Sequence, residues 1–268
     1  MGGGFAFPTL TPVVKHLLLA NGVAFLVTFA LSFDRGVAGF VVRWLGLDPS
    51  NWKEYAPLVP FWQLLSYGFL HDLSGLGHLL FNMLSLYFFG TMLEGIVGSR
   101  RFLRTYLAAI VVGGLAHLMA AFITEQMNPA VGASGGVLGV IVACAVLRPN
   151  TMVIVIMFPV RLKWVAGFIV GMDIFSVLVG LRDQTGSGVA HWVHLAGAGF
   201  GFLMAWRKWI WADPMEVLET RRLRLRAERD QAVDLKMDDL LVKIKKEGLG
   251  ALSKREKDFL KRASQRKR

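Results

Sequence analysis

Ser134 stands in Gly132-Ala133-Ser134-Gly135-Gly136, a cradle of small residues at the head of an apolar run. About sixty residues later a second apolar run carries His194-Leu195-Ala196-Gly197, with Gly201 one helical turn beyond. A serine hydroxyl becomes a nucleophile when a base takes its proton, and an imidazole does this near neutral pH. A third apolar run holds His78 and Asn82, four residues apart and so on one face of a helix. Both side chains donate hydrogen bonds, as a developing oxyanion requires. Polar groups inside an apolar span are costly unless paired, which makes them functional by default. Gly135 and Gly139 clear one face of the serine helix, and Gly197 and Gly201 clear one face of the histidine helix. Facing small-xxx-small surfaces let two backbones approach closely, bringing Ser134 and His194 within hydrogen-bond reach of about 3 Å.

Those groups need membrane-spanning elements to hold them. Of 268 residues 54% are hydrophobic and 18% charged, whereas a soluble domain carries about 45–50% and roughly 25%. Many of the charges crowd into the last fifth, so the composition describes a polytopic membrane protein with a polar tail. Six spans are predicted: Leu17–Ser32, Gly77–Val97, Phe102–Ile123, Ser134–Leu147, Trp164–Leu181 and Val189–Ile210. The fourth is too short to face lipid along its whole length. Protein must surround it, which puts Ser134 at a helix start below the membrane surface. The long connection Phe33–Leu76 contains Trp44, Trp52 and Trp62 and reads as interfacial. Thr151–Pro159 is apolar and β-branched, too short to span, and also reads as interfacial. Lys15-His16 precede a long apolar stretch with no small-residue cleavage site, so the first span is expected to be retained. The single cysteine, Cys144, excludes an intrachain disulfide and reads as a packing residue.

Basic residues near span ends set the sidedness. Lys15, Arg100, Arg101, Arg104, Arg148, Arg161 and Lys163 fall on the side of both termini, while Arg35, Arg43, Lys53 and Arg182 lie opposite, diluted by acids. Both termini are therefore expected in the cytoplasm, with Ser134 and His194 opening outward. The predicted division is a membrane domain over 1–210 and a basic helical cytoplasmic tail over 211–268. In the tail, Asp213-Pro214 starts a helix carrying Arg221, Arg222, Arg224, Arg226 and Arg229. Gly248 stops that helix, and Ser253 with Glu256 forms a capping box for a second.

Taken in order, His78…Asn82, Gly132-Ala133-Ser134-Gly135 and Ala190…His194-x-x-Gly197-x-x-x-Gly201 resemble the rhomboid family of intramembrane serine proteases, over roughly residues 10–210. Glu94 with Gly98 also matches that family's pattern at the cytoplasmic end of the second span. The resemblance implies an all-α membrane protein, a six-transmembrane-helix bundle of bacterial type with a helical cytoplasmic tail in the inner (cell) membrane. It implies Ser134 as nucleophile and His194 as base and then acid. His78, Asn82 and the Ser134 backbone N–H would form the oxyanion site. It implies a Ser-His dyad with no carboxylate, and as substrates the transmembrane segments of single-span or polytopic membrane proteins. Two positions depart from the family pattern. Leu138 stands where an aromatic residue often follows the nucleophile by four, and Trp62-Gln63 stands where Trp-Arg is common.

Other readings of these residues remain open at this level. His191, one turn before His194, competes as base or serves a structural or gating role. His71 and His117 read as satisfied core or interface histidines, and Glu94 as structural. No metal-ligand spacing is present, so neither metal nor cofactor is expected. The acids interleaved in the tail argue against nucleic acid, and its basic face suits anionic lipid. No oligomeric state is specified. The competing function is an inactive rhomboid-like protein that binds or escorts transmembrane helices.

Overall fold

Within hydrocarbon a backbone must satisfy its own polar groups, so long apolar runs fold as helices. The computed structural model describes residues 8–73, 75–155, 157–183 and 191–266. α1 (Pro12–Leu31) leads into three short helices, α2 (Arg35–Leu45), α3 (Pro49–Glu54) and α4 (Gln63–Ser66). α5 (Leu76–Val97) and α6 (Ser99–Thr124) follow as long helices, and α7 (Ser134–Leu147) is short. A hairpin of β1 (Met152–Val155) and β2 (Phe158–Arg161) precedes α8 (Leu162–Asp183) and α9 (His191–Trp206). Among the described residues, α1, α5, α6 and α8 are long and apolar enough to cross a membrane. The chain divides into two compact units, Met1–Ala212 and Asp213–Arg268.

α7 is the centre of the first unit. Every residue from Gly135 to Ala145 is buried. At about 1.5 Å per residue its 14 residues reach only about 21 Å, short of the roughly 30 Å of a hydrocarbon core. Protein surrounds it on all faces, as its length demands. Cys144 is buried in this core, its thiol 3.4 Å from the Phe89 carbonyl. α8 is the opposite case: Trp164, Phe168, Phe175 and Leu178 are all largely exposed. An apolar surface of that extent is matched to lipid, not to water.

One carboxylate ties three helices together at the far end of α5 from Asn82. Glu94 accepts hydrogen bonds from the Thr11 hydroxyl at 2.5 Å and from the Val13 and Val14 N–H groups at 3.1 and 3.0 Å, capping α1. It also accepts from the Ser99 hydroxyl at 2.6 Å, where α6 begins. The turn between α5 and α6 needs Gly98, whose φ is +85°.

The connection read as interfacial is ordered around a fully buried Gln63. Its amide N–H donates to the Arg43 carbonyl at 2.8 Å. Its carbonyl accepts from the Asp48 N–H at 3.2 Å and from the Trp52 indole N–H at 3.1 Å. Asp34 and Asp48 cap α2 and α3 through backbone N–H groups. Leu58, Phe61 and Trp62 project outward, as residues of a membrane interface do.

The run read as an interfacial segment from Thr151 forms the β1–β2 antiparallel hairpin, pairing Met152 with Arg161 and Val155 with Phe158. Two strands satisfy each other's backbone where nine residues cannot make a spanning helix. The last predicted span, Val189–Ile210, is helical over His191–Trp206, with a 3-10 turn at Trp209–Trp211. Val189 and Ala190 lie outside the described residues.

The second unit consists of α10 (Pro214–Glu247) and α11 (Lys254–Arg266). Gly248, at φ +81°, ends α10 with its N–H on the Ile244 carbonyl. Leu240, Leu252 and Ala263 are buried. The capping box is reciprocal: Ser253 N–H donates to Glu256 at 2.7 Å, and Glu256 N–H donates to the Ser253 hydroxyl oxygen at 3.3 Å. These two Ser253 groups, with Lys243 at 3.1 Å, push the Glu256 carboxyl down to about 2.

Candidate active site

Gly132 has φ +130°, a backbone conformation open to glycine alone. A Cβ there would lie 2.8 Å from the His78 ring, so the missing side chain is what lets the imidazole sit against this turn. The Gly132 N–H donates to the Tyr67 carbonyl at 2.9 Å, and the Tyr67 hydroxyl donates to the Ile110 carbonyl at 2.6 Å. The turn is thereby held as α7 starts. Ser134 is the first residue of α7, so its backbone N–H has no partner within the helix and points out of the positive end of the dipole.

α9 brings the histidine. A Cβ on Gly197 would sit 2.2 Å from the Gly135 carbonyl oxygen, and one on Gly201 would sit 2.0 Å from that of Gly139. Real Cβ atoms do not come so close, so α7 and α9 touch backbone to backbone along two turns. In this register the His194 Nε2 lies 2.7 Å from the Ser134 Oγ. His191 points elsewhere, with its Nδ1 2.6 Å from Asp173 Oδ1.

Asp173, on α8, is a site residue that the sequence reading passed over. The same oxygen, Oδ1, lies 3.0 Å from His194 Nδ1. The dyad without a carboxylate that the resemblance implied is therefore corrected in its geometry: an acid does adjoin the histidine. A lone charged residue within Trp164–Leu181 was the available signal. Asp173, His191 and His194 hold their ligand-type atoms within 4.8 Å of one another. Direct hydrogen bonds already satisfy that cluster.

Ser134, His194, His78 and Asn82 line one cavity of about 500 Å³, with Phe81, Leu138 and Ile169 among its apolar walls. The Asn82 amide donates to the His78 carbonyl one turn back at 2.9 Å, using one of its two N–H groups. Outside this group, His117 Nε2 lies 2.9 Å from the Asn128 carbonyl oxygen. His71 is not satisfied in the way expected: it is buried beside His78, ring centroids 5.3 Å apart, with no hydrogen-bond partner on either nitrogen among the described residues.

A nucleophile–base contact beside two amide and imidazole donors can perform acyl transfer. The chain is similar to several known proteins. The presenilin-associated rhomboid-like protein of Rattus norvegicus mitochondria is 29% identical over 192 residues, covering 70% of this chain and 46% of that protein. RHOMBOID-like protein 12 of Arabidopsis thaliana mitochondria is 29% identical over 148 residues, covering 50% of this chain and 42% of that one. Rhomboid protease GluP of Bacillus subtilis is 41% identical over 79 residues, covering 30% of this chain and 14% of that one. The chain spans less than half the length of these curated relatives. The model of the Rhomboid domain matches residues 59–210, a stretch that contains His78, Asn82, Ser134 and His194. With more than half its length inside that match, the chain belongs to the rhomboid family.

Proposed function

We propose that this protein is a membrane-embedded serine endopeptidase that cuts peptide bonds within or near transmembrane segments of other membrane proteins. The observation that carries the reading is the 2.7 Å contact between Ser134 Oγ and His194 Nε2 inside the cavity. His194 Nε2 takes the hydroxyl proton as Oγ attacks the substrate carbonyl carbon. The resulting oxyanion is held by the Ser134 N–H, His78 and Asn82. The tetrahedral intermediate collapses as His194 returns that proton to the leaving amine, which departs and leaves an ester on Ser134. Water then attacks the ester, giving one proton to His194, and Ser134 leaves as a hydroxyl with that proton.

A transmembrane substrate must expose its scissile carbonyl, so small or helix-breaking residues near the cut favour cleavage. Ser134→Ala and His194→Ala are each expected to reduce cleavage of single-span substrates to background while the proteins keep the wild-type gel-filtration profile. Cleavage by purified Ser134→Ala at a substantial fraction of the wild-type rate overturns the nucleophile assignment. If the wild type itself cleaves no member of a broad panel and takes up no serine-directed phosphonate, the protein is instead a rhomboid-like binder of transmembrane helices.

A further inference from the structure

Asp173 is the lone charged residue between Lys163 and Arg182, in a helix otherwise matched to hydrocarbon. It is 6% exposed, and its Oδ1 meets two imidazoles from one face of α9: His191 Nδ1 at 2.6 Å and His194 Nδ1 at 3.0 Å. A carboxylate only accepts hydrogen bonds, so the nitrogens facing it carry the protons. For His194 this leaves Nε2 bare, and Nε2 is the nitrogen 2.7 Å from Ser134. The second bond, from His191, keeps the carboxylate from swinging away, because both donors stand one turn apart on the same helix.

We propose that Asp173 is a positioning residue for the Ser134–His194 pair. Its carboxylate fixes the tautomer and plane of the His194 ring, then faces the imidazolium formed when Nε2 takes the Ser134 proton. The proton stays on His194 throughout that step and Asp173 remains a carboxylate. His191 orients the acid and does not touch the reacting atoms. This rests on the assignment of Ser134 and His194 given above.

The test is Asp173→Asn in the full-length protein in detergent, with a single-span fluorogenic substrate and Ser134→Ala as the floor. The amide matches the acid in size but carries no charge, and its N–H₂ group can favour the opposite His194 tautomer. We expect kcat to fall by about 10²- to 10⁴-fold, the upper figure being that for the same change in a soluble Ser-His-Asp protease. KM should stay within about two-fold, since the acid does not contact substrate. Nitrogen NMR of the His194 ring should report the Nδ1–H form in the wild type and its loss in Asp173→Asn. Wild-type kcat in Asp173→Asn, or a loss confined to KM, overturns the proposal. If the variant is too unstable for turnover assays, the rate of phosphonate labelling of Ser134 in its monodisperse fraction decides. Slow labelling supports the positioning role and wild-type labelling overturns it. An active Asp173→Asn beside a dead Ser134→Ala removes only this inference, whereas an active Ser134→Ala removes the assignment beneath it.

Discussion

Asn82 lines the same cavity as Ser134 and His194 while its amide is anchored to the carbonyl of His78 one turn back. An amide held in this way keeps one N–H free for an oxyanion and would need little reorganisation at the moment of reaction. Charge on the carbonyl oxygen grows only toward the transition state, so in the proposed oxyanion role the effect of Asn82 would fall on turnover. Asn82→Ala is expected to lower kcat by about 10- to 10³-fold with KM little changed, as measured by full substrate titrations in detergent. An unchanged kcat with a raised KM would assign Asn82 to substrate binding. His78 and the Ser134 N–H remain as donors in that variant, which favours the lower end of the range. At this scale much was legible beforehand, because Ser134, His78 with Asn82, and His194 with Gly197 and Gly201 have spacings that only a helix face makes meaningful. Asp173 was not read, since its role depends on α8 facing α9, a relation between segments that no local spacing encodes. Leu138 cannot fix the histidine as an aromatic ring would. The Asp173 carboxylate, 3.0 Å from His194 Nδ1, would supply a different constraint.

At the scale of elements, the contact between α7 and α9 is made of backbone. The Gly139 carbonyl occupies the space a Cβ on Gly201 would need, whereas a Cβ on Gly199 would meet nothing within 4 Å. Gly201→Ala should therefore push the helices apart, costing about 1–3 kcal/mol of stability as overpacking does. Activity should be lost with it, through a longer Ser134–His194 separation. Gly199→Ala on the same helix is the control and should keep wild-type turnover with a melting temperature unchanged or raised, since Ala favours the helix over Gly. Equal behaviour of the two variants in thermal unfolding and cleavage assays would remove the close approach as the cause. The positions of the long helices follow from runs of apolar residues, and the capping box at Ser253 marks where the last helix begins, whereas the caps at Asp34 and Asp48 emerge only from the structure. The β1–β2 hairpin was less legible. Val153, Ile154 and Val155 suit a strand, yet strand pairing is decided by the partner, which here lies only a turn away. Gln63 shows the same limit: its partners, Arg43, Trp44, Asp48 and Trp52, lie 11 to 20 residues away, and the chain must fold back before one amide can serve them all.

For the molecule as a whole, sidedness is the property with the widest reach. Arg100, Arg101, Arg104, Arg148, Arg161 and Lys163 cluster at one set of span ends, and the arginine-rich α10 follows the last. From the positive-inside bias these groups and the tail are expected in the cytoplasm, with Ser134 reached from the other side. Exposed Ser50 and Glu228 test this: each becomes cysteine in a Cys144→Ala background and meets a membrane-impermeant maleimide in intact cells. Labelling at Ser50→Cys with none at Glu228→Cys is expected, and the reverse pattern inverts the topology. The sheathing of α7 has a separate consequence for how the protein responds to its surroundings. α1 and α8 turn bulky apolar side chains outward, so they must tilt or shift when acyl chains lengthen or shorten. α7 meets none of those chains from Gly135 to Ala145. A change of bilayer thickness would therefore reach the site through α8, which carries Asp173 against His194, while Ser134 keeps its place at the head of the sheathed α7.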